Sequence, residues 1–377
     1  MEVLVTNTWN RLGYNICRSL GIKGLEICAG SDLPIGMGPL SKYVKKSFLH
    51  PPICKDNFLR IINKALTKYK PKVLIPSDED LFIFSKNLDV LQQFSTIIPI
   101  SDYEIIDTLN KKNKSIAFVK SLGLPTPITF EASSEGDVRH FIKEIGEPVV
   151  LKTIESSGAR GVFFLNKSNI LQKVEQLFED NRIGWDDLIL QQYVNGSGYG
   201  VSMLFNQGNL RAKFTHKRNR ERFSTGGPST IRTSTKNGLL EEYAVEILTK
   251  IKYHGVGMIE FKYNEETGQC WFIEANPRFW GSLGLAIQSG VDFPFLLYQM
   301  AINGDISPVL DYKIGTTTKW LFGDILAVIA QIKKSRDISK MSQFFIKNNG
   351  YDDLYFDDPI PFFAEGISFL FRRLINL

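Results

Sequence analysis

The stretch MIEFKYNEETGQCWFIEANPRFW, residues 258–280, reads as a β-hairpin that carries chemistry. Two apolar runs, Met258–Tyr263 and Trp271–Ala275, flank a short polar turn. With Glu266-Thr267-Gly268 as a three-residue loop, Gly268 takes the left-handed position such loops require, and Glu265 and Gln269 close it. That register sets Glu260 opposite Glu274, with Asn276 two residues on and on the same face. Two carboxylates facing each other about 5 Å apart at Cβ repel. A divalent cation removes the penalty, and two carboxylates with an amide oxygen are hard ligands suited to magnesium, with phosphates and water completing its shell. The competing reading is an amphipathic hairpin whose glutamates face water. The apolar strands around both glutamates, and the abrupt stop at Asn276-Pro277-Arg278, argue for the cation.

Upstream, Val149–Lys152 and Val162–Leu165 read as strands joined by a loop rich in small residues, Ser156, Ser157, Gly158, Ala159 and Gly161 among them. It is not a Walker A loop, which needs Gly-Lys-Ser/Thr before a helix. Its backbone N–H groups can still wrap phosphates, with Lys152 adding a point charge; an ordinary hairpin is the alternative. Nearer the N-terminus, strands at Val3–Thr6, Leu25–Ala29 and Lys72–Pro76 alternate with helices at Asn15–Leu20 and Asn57–Tyr69, the pattern of a parallel α/β unit ending near residue 105. Residues 6–13, TNTWNRLG, lack GxGxxG, which disfavours dinucleotide binding. Ser77-Asp78-Glu79, at the carboxyl end of a strand, either faces a ligand cleft or caps a helix.

A helix over Asn113–Leu122 stops at Gly123. Beyond it, short strands joined by turns predict a mainly antiparallel region, with helices at Glu241–Ile251 and near Phe293–Ile302. The last section, 311–377, reads as helix-rich. Its end, SFLFRRLINL, either packs on the protein's own core, the preferred reading, or docks on a membrane surface.

Composition narrows the function classes. Of 377 residues, 43% are hydrophobic and 23% charged, as in an ordinary globular protein. Cys17, Cys28, Cys54 and Cys270 form no CxxC pair, and His50, His140, His216 and His254 are scattered, which disfavours disulfides, zinc and other His-bound transition metals. A reducing cytoplasm fits. The surplus of Lys and Arg in residues 1–72 reads as a solvated surface rather than a nucleic-acid footprint. No leader is evident, and the longest apolar run, Trp320–Ile332, contains Asp324 and is too short to cross a bilayer.

The order of parts resembles the ATP-grasp superfamily, over nearly the whole chain to about residue 305. In KNKSIAFVKSLGLPTP (112–127), Lys112 precedes Gly123 by the family's spacing, which implies a contact with the ATP α-phosphate. Lys152 resembles the second family lysine, and Ser156–Gly161 the mobile loop over the β- and γ-phosphates. Gln191, Gln192, Tyr193 and Val194 resemble the hinge that receives adenine through backbone groups. Glu260, Glu274 and Asn276 match the metal ligands, and Arg278 the arginine facing the transferring phosphoryl group. No acid follows the hinge in GSGYG (196–200), so no residue matches the family's ribose contact. GYGVSMLFNQG (198–208), KRNRERFSTGGPST (217–230) and NPRFWGSLGLAIQSGVDFP (276–294) are similar to a bacterial branch described as carboxylate-amine-ligase-like or carbamoyl-phosphate-synthase-like.

The resemblance implies an α/β (α+β) ATP-grasp fold: a Rossmann-like pre-ATP-grasp domain (1–105), an ATP-grasp domain (106–310) with a small mobile lid (about 120–190), and a helical extension (311–377). It implies ATP and Mg2+, or Mn2+, as cofactors, with Arg278 and Lys152 as catalytic residues. The reaction implied is activation of a small-molecule carboxylate as an acylphosphate, then capture by an amine with release of ADP and phosphate. The basic run Lys217, Arg218, Arg220, with Ser229 and Arg232, is expected to cradle the anionic substrate; an exposed strand edge is the alternative. A kinase on the same scaffold, or a nucleotide-binding module without catalysis, are the rivals, and a homodimer stays open.

Overall fold

The computed structural model describes residues 1–155, 161–166, 170–181, 183–223, 226–335 and 347–374. The chain opens with β1 (Val3–Thr6), α1 (Arg11–Ile22), β2 (Ile27–Ser31), β3 (Val44–Leu49), α2 (Phe58–Tyr69) and β4 (Val73–Pro76). These strands make a parallel sheet in the order β3-β2-β1-β4. β1, β2 and β4 are buried along their whole length, which is why they read as continuous apolar runs. β3, VKKSFL, is an edge strand, and its largely exposed polar residues hid it from sequence reading. Asn10 caps α1, its side chain accepting from the N–H groups of Leu12 and Gly13. α3 (Asp80–Lys86), α4 (Leu88–Leu91), α5 (Tyr103–Asn110) and α6 (Lys112–Ser121) follow, and Gly123 leaves α6 with φ +75°.

A small antiparallel sheet comes next, built from β5 (Thr129–Phe130), β6 (Val149–Thr153), β7 (Val162–Leu165) and β8 (Leu188–Gln192) in the order β5-β8-β6-β7, with α7 (Glu135–Ile145) and α8 (Ile170–Asn181) on one face. Val149, Leu151, Leu165, Leu188 and Leu190 point into that helical layer. The alternate residues Val150, Lys152, Val162, Phe164 and Gln191 therefore turn to the other face and line a cleft.

The opposite wall of the cleft is the largest sheet. β9 (Ser197–Asn206), β10 (Asn209–Phe223), β11 (Gly226–Thr235), α9 (Gly238–Lys250), β12 (Gly255–Tyr263), β13 (Cys270–Asn276), α10 (Leu283–Gln288), α11 (Phe293–Asn303), β14 (Thr317–Lys319), α12 (Leu321–Ser335), β15 (Gly350–Tyr351) and α13 (Ile360–Leu374) complete the chain. Seven strands run in the order β13-β12-β9-β10-β11-β14-β15. Tyr199, Val201, Met203, Ile259, Phe261 and Phe272 pack one face against α9. The other face carries Glu260, Arg218 and Glu274.

The described residues past 311 add two strands as well as two helices. Their acidic loop ties the molecule together. Asp352 pairs with Arg232, Asp353 accepts from the N–H groups of Leu321 and Phe322 at the start of α12, Asp357 pairs with Arg18, and Asp358 accepts from Tyr14 and Ser41. α13 turns Ala364, Glu365 and Ser368 inward and leaves Phe363, Ile367, Leu370 and Phe371 exposed. No described helix is long and apolar enough to cross a membrane.

Candidate functional site

Glu260 does stand opposite Glu274, but not by the expected turn. Asn264 N–H donates to Gln269 O (2.8 Å) and Gly268 N–H to Asn264 O (2.9 Å), so the loop has four residues rather than three, with Gly268 left-handed at φ +73°. The ladder then pairs Tyr263 with Cys270, Lys262 with Trp271 and Phe261 with Phe272. Ile273 is skipped, a β-bulge, and Glu260 meets Glu274. The bulge cancels the one-residue error in the loop. It also lets Ile273 and Glu274, neighbours in sequence, both line the cleft.

Asn276 sits between the carboxylates, its Nδ2 3.3 Å from Glu260 Oε1 and 3.4 Å from Glu274 Oε1. Burial pushes Glu260 up to about 7; its ion-pair partner Arg218 opposes the shift, and the Glu274 charge adds to it. Burial acts on Glu274 in the same direction, but Lys112, Lys152 and Arg218 outweigh it and hold that carboxyl below its ordinary value. Two buried carboxylates with one amide between them put several hard oxygens at one place. That donor set fits a divalent cation such as magnesium, the amide presenting its oxygen. Among the described residues no cluster of three or more His, Cys, Asp or Glu forms.

Across the cleft, Lys152, next to last in β6, is 6% exposed, and burial lowers its ammonium to about 8. Lys112, in the first turn of α6, is also buried and lowered, with Glu274 and Glu260 opposing. Its neighbours are engaged elsewhere: Lys111 with Asp107 (3.0 Å) and Glu155 (3.2 Å), Lys114 with Asp107 (2.5 Å). The field of Lys112 thus reaches the carboxylates. Gln191, Gln192, Tyr193 and Val194 line the same cleft, of about 780 Å³, with Val150 and Phe164 beside them. Gly161 is described, and its carbonyl accepts from Thr153 N–H (2.9 Å). Ser156, Ser157, Gly158 and Ala159 lie outside the described residues.

Arg278 follows β13, its Nε 3.3 Å from Asp78 Oδ1. Of Ser77-Asp78-Glu79, Asp78 is the residue that reaches the cleft, while Ser77 Oγ donates to Asn7 O. The basic run divides. Arg218 and Ser229 line the cleft, as does Arg222. Lys217 pairs with Glu265, Arg220 with the buried Asp324 (2.9 Å), and Arg232, fully buried, with Asp352. These three are not on the cleft wall. The run belongs to β10, where neighbouring side chains point to opposite faces and irregularities at Arg218–Phe223 re-aim them.

The glycines of GSGYG have a use that sequence reading missed. Gly198 and Gly200 lie on β9 between β10 and β12, under Arg218 and His216. A Cβ on Gly200 would overlap the His216 ring and come 2.9 Å from Met258 Sδ; one on Gly198 would come 3.0 Å from Arg218 Cδ. Trp9 and Asn10 from the β1–α1 turn, Arg11 at the start of α1, and Trp280, Trp320, Glu365 and Phe369 also line the cleft. No spacing links them in sequence; only the fold gathers them.

Two family models match parts of the chain: "ATP-grasp in the biosynthetic pathway with Ter operon" over residues 185–321, and "RimK-like ATP-grasp domain" over residues 109–212. The carbamoyl phosphate synthase large chain, N-terminal section, of Methanopyrus kandleri is 21% identical over 347 residues, 82% of this chain and 59% of that protein. The chain thus spans less than two thirds of that relative. The biotin carboxylase domain of Hydrogenobacter thermophilus 2-oxoglutarate carboxylase, solved with MgADP, ADP and bicarbonate, superposes with a TM-score of 0.69 at 17% identity, covering 84% of this chain and 73% of that one. N5-carboxyaminoimidazole synthetase from Staphylococcus aureus, solved with ADP, gives 0.67 at 16% identity, covering 84% and 80%.

Proposed function

Because this chain is a member of the ATP-grasp superfamily, with that fold, we propose that it is an ATP-dependent ligase that activates a carboxylate as an acylphosphate and joins it to an amine. The observation that carries this reading is the opposed, buried pair Glu260 and Glu274 bridged by Asn276, facing Lys152 across one cleft. In this reading those three residues hold magnesium, or manganese, which supplies charge neutralisation at the ATP phosphates. Relatives solved with MgADP or ADP support the choice of nucleotide.

The protein's own groups then have distinct work. Lys112 and Lys152 are buried cations whose charges act on Glu274 and Glu260, and in this reading they neutralise phosphate charge where water is scarce. Gln191 to Val194, on the last strand of the small sheet and just past it, form the edge that receives the adenine. Arg278, steered by Asp78, faces the transferring phosphoryl group. The substrate carboxylate attacks the γ-phosphorus, the bond to the β-phosphate oxygen breaks, and ADP leaves. The amine then adds to the acyl carbon, loses a proton and expels phosphate. Phosphoryl transfer asks the protein for alignment and charge stabilisation rather than covalent help, and the cleft is built of such groups.

Of the expected substrate residues, Arg218 and Ser229 keep that role in the proposal. Lys217, Arg220 and Arg232 act on the fold instead. A screen of ADP release over pairs of carboxylates and amines tests the ligase reading. Release that needs both partners supports it; release with one partner and a stable phosphorylated product would make the protein a kinase.

A further inference from the structure

An ATP with its adenine on Gln191–Val194 and its phosphates at Glu260 and Glu274 must set its ribose between the two. β12 crosses that interval. Its side chains alternate, so Lys262 shares the face of Glu260, two residues and roughly 7 Å further along the strand. Phe261 between them turns to the core under α9. Glu260 and Lys262 both line the cleft, as do Gln192, Tyr193 and Val194. In the ladder Lys262 pairs with Gly198 and Tyr263 with Ser197, at the start of β9 and just past Val194.

The lysine is anchored at that corner. It is half-buried, and its Nζ donates to Gly196 O (3.0 Å). Gly196 is pressed against the hairpin. A Cβ there would come 2.7 Å from Tyr263 O, so only a glycine lets this carbonyl sit beside β12. The segment 196–200 carries no acid. Tyr199 gives its hydroxyl to Glu265 (2.7 Å), as Ser197 does. At this end of β9 and β12, the groups left to meet a sugar among the described residues are the Lys262 ammonium and the Gly196 carbonyl.

An ammonium has three protons to donate, and one is used on Gly196 O. A carbonyl oxygen has two lone pairs, and a sugar hydroxyl both donates and accepts. The corner therefore offers a ribose donors and an acceptor side by side, where a carboxylate would offer acceptors alone. The Lys262 charge also reaches Lys152, so a contact with a phosphate is the rival role. The anchor on Gly196 favours the sugar, because it holds Nζ at the edge that leads to Val194.

We propose that Lys262 reads the ribose of the bound nucleotide, donating to one of its two free hydroxyls while Gly196 O accepts from the same sugar. The proposal rests on the ATP reading of the cleft and adds the residue by which this chain tells a ribonucleotide from a deoxynucleotide.

Titration calorimetry of the full chain with the magnesium complexes of ATP, 2′-deoxy-ATP and 3′-deoxy-ATP tests it, in the wild type and in Lys262→Met. In the wild type at least one deoxynucleotide is expected to bind about tenfold more weakly than ATP. In Lys262→Met that ratio is expected to shrink to about twofold or less, whatever the change in absolute affinity. Should Lys262→Met fail to fold, Lys262→Ala takes its place. A wild type that binds all three nucleotides alike overturns the proposal and leaves the ATP reading standing. A ratio that survives in the variant does the same, and equal weakening of all three would assign Lys262 to the phosphates. A folded wild-type chain that binds no Mg-ATP overturns the ATP reading itself, and the proposal with it.

Discussion

Lys152 pays for its position in the unliganded protein. Its ammonium titrates at about 8 in the fold against 10.5 unfolded, because burial outweighs the attraction of Glu274. The folded state therefore holds its proton less tightly. The penalty is complete below pH 8, shrinks as pH rises from 8 to 10.5, and is gone above. Lys152→Met is expected to stabilise the unliganded protein by about 1–3 kcal/mol at pH 7, an advantage that fades by about pH 10.5, while weakening ATP binding about a hundredfold or more. Urea titrations at pH 7 and 10, with ATP binding, check both halves. Gly200 shows the same coupling by sterics. Gly200→Ala puts a methyl into His216 and Met258 and is expected to cost about 1–3 kcal/mol and to displace β12 beside Glu260, which faces Gly200 in the ladder. Denaturation midpoints and ATP affinity should fall together.

Elements show where sequence reading succeeds and where it stops. The β12–β13 hairpin was legible because its alternation and its left-handed Gly268 are local signals. Its loop length was not, since Asn264 and Gln269 closing it, and the bulge at Ile273, depend on neighbouring strands. The basic run was visible as charge, and as a strand edge only in the alternative reading; the structure places it on β10. Its partners Asp324, Asp352 and Glu265 lie 48 to 120 residues away from Lys217, Arg220 and Arg232, and only the fold supplies them. The acidic loop 351–359 is the clearest such case. Asp352→Ala strands the fully buried Arg232 without its counter-ion and is expected to cost about 3–5 kcal/mol. The double variant Arg232→Met, Asp352→Leu should recover most of that loss, as read from paired urea titrations.

At the scale of the molecule, two sheets face each other across the cleft. The small sheet brings Lys152 and the Gln191–Val194 edge, the large sheet brings Glu260, Glu274 and Asn276, and the N-terminal unit brings Arg11 and Asp78. The nucleotide half was legible because each part rests on a short run with its own pattern. The far half was not, because Arg11, Arg222, Trp320 and Glu365 belong to four separate segments brought together by α12, α13 and the acidic loop. The cation site at Glu260, Glu274 and Asn276 is what the proposed chemistry depends on most. The direct measurement is ATP affinity with and without Mg2+ in the wild-type chain and in Glu274→Ala, with unfolding monitored alongside. ATP is expected to bind at least about tenfold more tightly with Mg2+ in the wild type, and a folded Glu274→Ala to lose that gain. A folded Glu274→Ala whose ATP affinity still rises with Mg2+ as in the wild type would contradict the cation site.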